Sequence, residues 1–120
     1  MDVTLTIRTA QFGVFSELEV RKFEDWMAGH LKRFFSAKCD ALGEACIVET
    51  IRYGIKRASR HGFRTRRDVC KYIDLMMVLG RDFDTHERTR WAAGILARGG
   101  DASATMRALF AAASHQLKKR

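Results

Sequence analysis

The chain has 120 residues, 47% of them apolar, and a formal net charge of +8. That length fits one domain around a single core and excludes a multidomain architecture, and the apolar share excludes a disordered chain. The charge favours an acidic partner, whether nucleic acid, an acidic protein or a membrane surface, without choosing among them.

The first 30 residues hold no continuous apolar run, so neither a signal peptide nor a membrane span is expected, and the expected location is cytoplasmic. The three cysteines, Cys39, Cys46 and Cys70, form no CxxC pair and read as free thiols. Cys39 and Cys46 stand seven residues apart, which is one face if they share a helix. Small core residues are the ordinary reading of such positions.

Residues 2–8 alternate. Val3, Leu5 and Ile7 point one way while Thr4, Thr6 and Arg8 point the other, as in a strand. No second strand is evident. A lone strand leaves its backbone groups unpaired. Residues 1–9 are therefore either a loosely ordered start or a strand lent to a partner or to a second copy of the chain, giving a homodimer.

Helical signals follow over 16–118. Ser16 and Glu19 have capping-box spacing. The helix they open runs to about Phe35, with Val20, Phe23, Met27, Leu31 and Phe34 as its apolar stripe, widened by Trp26, His30 and Phe35. A second helix is expected from near Asp40 to about His61, with Ala45, Val48, Ile51, Ile55 and Ala58 inward and Ile47 and Gly54 at the margin. Gly62 can end it in the left-handed conformation. Thr65 and Asp68 cap a third helix carrying Val69, Ile73, Met76 and Met77, and Gly80 stops it. Asp84 and Glu87 have cap spacing before a fourth helix with Trp91, Ile95 and Leu96, and Phe83 anchors the turn. Gly99-Gly100 breaks the chain ahead of a fifth helix from about Ala102. The fold class is thus all-α: a single-domain bundle of about five helices preceded by a short extended segment.

The sharpest charge feature runs from Arg52 to Lys71. Arg52, Lys56 and Arg60 are four apart and line one helix face, and Arg64, Arg66 and Arg67 follow in the turn and the next helix start. A solvated basic face is the ordinary reading, and an acidic protein surface is the functional one. Two helices joined by a short turn also fit a helix-turn-helix. However, the would-be recognition helix is strongly apolar from Tyr72 to Leu79, as a buried helix is. Asp82, Asp84, His86 and Glu87 invite a metal or acid/base role, but no HxxxH, HxH or HExxH supplies further ligands. The four histidines are dispersed, and no serine has a nucleophile-elbow setting. No catalytic residue, metal set or cofactor site is therefore assigned.

The block from Arg57 to Leu96 carries Arg57-Ala58, His61-Gly62, Thr65, Asp68, Tyr72, Leu75-Met76, Leu79-Gly80, Phe83-Asp84, Trp91 and Ile95-Leu96. In that order it resembles a family of small helical bacterial proteins encoded near spike, tip and toxin genes of type VI secretion systems. Gln11, Phe23, His30-Leu31, Phe34-Phe35 and Cys39 extend the resemblance more loosely, to about residues 7–96. Thr89-Arg90 and Ser36 stand where that family usually has proline, which leaves the loop shapes open. The resemblance implies an effector-associated adaptor, chaperone or immunity protein, and it brings no catalytic residues. Gly62, Thr65, Asp68, Gly80, Phe83, Asp84 and Trp91 then read as residues that specify the fold. The expected function is non-enzymatic binding of an effector toxin or a spike or tip component. Val3, Leu5, Ile7, Arg52, Lys56, Arg60, Arg64 and Arg67 are the candidate contacts. A nucleic-acid-binding regulator is the alternative.

Overall fold

A computed structural model of the chain describes residues 17–118, and all regular structure among them is helical. The helices are α1 (Glu17–Phe34), α2 (Ser36–Leu42), α3 (Glu44–Arg60), α4 (Arg66–Leu79), α5 (Arg90–Ala97) and α6 (Ala102–Lys118), with one 3-10 turn at Glu87–Thr89. The expected extended segment with Val3, Leu5 and Ile7, and the Ser16 cap, lie outside the described residues.

Among the described residues the bundle has six helices where five were expected. The extra boundary is Gly43, which takes φ +84° and ψ 161° and divides the predicted second helix in two. A side chain would strain that backbone, so glycine permits the break. Cys39 and Cys46 consequently sit on different helices; Cys39 is buried and Cys46 exposed. The inward stripe of α3 is also rotated from the expected one. Ile47, Ile51, Gly54 and Ala58 are buried, Val48 and Ile55 are half-buried, and Ala45 is exposed.

Helix α4 is the centre of the molecule. It packs against α3, α6 and α1, while α2 joins α1 to α3 and α5 rests on α6. Eight of its 14 residues are buried, which makes it a core helix. Thr65 caps it as expected, its hydroxyl accepting from the Asp68 amide at 3.1 Å. Gly80, with φ +118°, ends it. Gly54 lets α3 approach α4 closely: a Cβ there would meet Ile73 Cγ1 at 2.5 Å. The largest core side chains are Tyr72, Phe23, Phe63 and Phe83, each worth about 1.5–3 kcal/mol of burial. Trp91 is half-buried and packs on the edge of this core.

Candidate functional site

Three side-chain groupings carry chemistry. The first is the basic ridge. Arg52 is paired with Glu24, its Nε donating at 3.0 Å, so it is not a free cation. Arg66 lies over the rings of Phe23 and Trp26 at 5.7 and 5.9 Å, and Lys71 over Phe110 at 5.4 Å. Lys56, Arg60, Arg64 and Arg67 are exposed and have no ion-pair partner among the described residues. They descend the end of α3, cross the turn and enter the first turn of α4.

The second grouping gathers the residues of the Arg57–Leu96 pattern around one carboxylate. Asp84 was expected to cap a helix. Instead its side chain is fully buried, and Oδ2 accepts from Arg57 Nε at 3.0 Å, Arg57 Nη2 at 2.6 Å and His61 Nε2 at 2.8 Å. The cap is made by His86, whose Nδ1 accepts from the Arg88 amide at 3.1 Å to open the 3-10 turn. Burial alone would raise the Asp84 carboxyl. The hydrogen bonds from His61 and Arg57, with the Tyr72 hydroxyl nearby, outweigh it and hold the group below the usual carboxylate range. The Tyr72 hydroxyl and Asp84 Oδ1 are both buried without a hydrogen-bond partner among the described residues. They nevertheless act on each other, and burial followed by the Asp84 charge pushes the Tyr72 phenol upward. Asp82 takes a different partner, the Tyr53 hydroxyl. Asp82 and Asp84 therefore point to separate partners and do not converge on one reacting atom.

The third grouping was not anticipated. An open groove of about 320 Å³ runs between α1, α4 and α6. Its walls include Phe34, Phe35, Val78, Phe110 and Leu117, and Phe34, Val78 and Leu117 are exposed. Phe34 was expected to face inward; at the last residue of α1 it lines this groove instead. On the groove wall, His30 of α1 meets Asp74 of α4, with Nε2 to Oδ1 at 2.9 Å and to Oδ2 at 3.3 Å. Cys70, one turn before Asp74, brings Sγ to 3.7 Å from the same Nε2 and 4.0 Å from Oδ2. The His30 ring is held between Trp26, stacked at 5.2 Å, and Phe34 at 4.9 Å. Burial pushes the Asp74 carboxyl up, and the adjacent His30 only partly offsets it. Burial, then the Asp74 charge, pushes the Cys70 thiol up to about 12. A thiol so raised is protonated at neutral pH and is a poor nucleophile without an added cation.

No protein-family model, curated protein or solved structure matches the chain. No helix among the described residues is long and apolar enough to cross a membrane.

Proposed function

We propose that this protein is a non-enzymatic binding protein that takes an acidic protein partner on the ridge of Lys56, Arg60, Arg64 and Arg67. One observation carries this reading: these four exposed cations follow one another along the end of α3, the turn and the start of α4 without a counter-ion among the described residues, whereas Arg52 and Arg57 on the same helix are paired. Helix stability accounts for only part of the ridge. Arg60, in the last turn of α3, suits its negative end. Arg67 in the first turn of α4 opposes the helix dipole, offset there only by Asp68. A counter-charge on a partner would relieve that conflict and steer association.

The resemblance to effector-associated helical proteins supplies the partner class: a toxin or a spike or tip component met in the cytoplasm, with this chain as adaptor, chaperone or immunity protein. The burial of eight of the 14 residues of α4 weighs against the regulator reading, in which that helix would lie in a nucleic-acid groove.

The test is co-purification with co-expressed gene neighbours, comparing the native chain with an Arg60→Glu/Arg64→Glu/Arg67→Glu variant. All three positions are exposed, so the fold should survive with stability changes of about 0.5 kcal/mol each or less. Recovery of a protein partner should be lost in the variant at about 0.1 M salt, where screening is moderate. Unchanged recovery would remove the ridge from the interface. Recovery of nucleic acid alone, released steeply by salt, would replace this reading with the regulator.

A further inference from the structure

We propose that His30, Cys70 and Asp74 form a binding site for a thiophilic divalent cation, zinc being the best match, with one coordination position open to the groove. The three ligand atoms lie within 4.8 Å of one another. Their separations are 3.3 Å for Nε2 to Oδ2, 3.7 Å for Sγ to Nε2 and 4.0 Å for Sγ to Oδ2. Tetrahedral zinc with ordinary bond lengths calls for about 3.3 Å between nitrogen and oxygen and about 3.5 Å from sulfur to either. A shift of a few tenths of an ångström in the cysteine therefore brings the set to the geometry of the ion.

The direction of the contacts separates this site from a nucleophile relay. A relay uses both imidazole nitrogens, one toward the nucleophile and the other toward the carboxylate. Here sulfur and carboxylate both approach Nε2, so the three donor atoms cluster around one space. Their chemistry also selects the ion. Thiolate and imidazole favour zinc and its neighbours, whereas magnesium and calcium prefer oxygen alone. The supports are rigid: Cys70 and Asp74 are one turn apart on the central helix, and the His30 ring is wedged between two aromatic rings. The His30 and Asp74 side chains are only 19% and 22% exposed and Cys70 is buried, so little water competes for the donors. On binding, the thiol proton leaves to solvent and the imidazole hydrogen resides on Nδ1, so that the Nε2 lone pair faces the ion. His30 and Asp74 line the groove and Cys70 does not. The remaining position therefore faces the groove and is filled by water or by a donor on whatever enters it.

The experiment is cobalt titration of the chelator-treated, reduced full-length protein, followed by zinc competition. One equivalent of cobalt should produce a thiolate-to-metal charge-transfer band in the near ultraviolet, and zinc should abolish it. Cys70→Ser should lose the band. His30→Gln and Asp74→Asn should each weaken the metal by more than about tenfold, since even residues that merely support a metal ligand cost that much. His30→Gln changes a partly exposed residue and guards against loss of fold as the cause. Cys46→Ser, at an exposed thiol, should titrate like the native chain. Absence of the band from the folded native protein would overturn the site, as would a band that survives Cys70→Ser or disappears in Cys46→Ser.

Discussion

Asp84→Asn removes one buried charge without altering side-chain shape. Oδ2 accepts two bonds from Arg57 and one from His61, so three charge-assisted contacts converge on one atom. Each hydrogen bond to a charged group contributes about 1.5–3 kcal/mol, and removing one partner from a buried ion pair costs about 3–5 kcal/mol. Two features place this case at the lower end. The Arg57 and His61 side chains are 20% and 26% exposed and regain some water, and the Asn oxygen still accepts one bond. A loss of about 3 kcal/mol follows, which for a domain of this size lowers Tm by about 10–20 °C. Urea unfolding followed by far-ultraviolet circular dichroism measures it. Arg57→Met and the double variant complete a cycle. Because Arg57 and Asp84 act as a unit, the double variant should lose much less than the sum of the singles. A loss below about 1 kcal/mol for Asp84→Asn, or strict additivity in the cycle, would refute a buried network as the keystone of this end of the bundle.

Two further outcomes follow from the same interior. Asp84 is depressed below the ordinary carboxylate value, so its contribution is present above the unfolded pKa near 4 and is lost as pH falls through the lower folded value. The stability difference between the native chain and Asp84→Asn should therefore be flat from about pH 5 to 7 and shrink below about pH 4; a difference constant down to acid unfolding would contradict this. Asp74 is raised and runs the opposite way, but it is common to both proteins and cancels in the comparison. Gly54→Ala gains about 1 kcal/mol of helix propensity but drives a methyl to 2.5 Å from the fully buried Ile73. Overpacking of about 1–3 kcal/mol should make the net change destabilising; a rise in urea midpoint would show that α3 and α4 separate freely.

The helical class, the Thr65 cap, the Gly62 and Gly80 stops and the start of α6 were legible because each is decided within a few residues of chain. The Thr65 hydroxyl reaches an amide three residues on, and Gly80 needs only its own backbone angle. The Gly43 break was not legible. A glycine inside an apolar-periodic stretch reads equally as a tolerated helical residue, and only packing of α2 between α1 and α3 decides the turn. The rotated stripe of α3 has the same origin. With α3 starting afresh at Glu44, Ile47 and Gly54 are buried, while Val48 and Ile55, expected inward, are half-buried and Ala45 is exposed.

Asp84 shows why a chemically active residue can be visible and still be misassigned. Asp84 and Glu87 have the spacing of a cap, and a sufficient local explanation left nothing to prompt a distant one. Arg57, His61, Tyr72 and Asp84 all stood in the same pattern, yet their common purpose appears only when α3, α4 and the loop before α5 close on one another. His30, Cys70 and Asp74 carry the lesson further. Cys70 and Asp74 at four-residue spacing are a legible pair of donors on one helix face. The third donor arrives from 40 residues away, placed by the crossing of α1 and α4, and no spacing along the chain encodes that crossing. Dispersed histidines in a helical bundle therefore argue weakly against a metal site. In such folds the ligands come from facing helices, and one helix contributes at most the pair that shares its inward face.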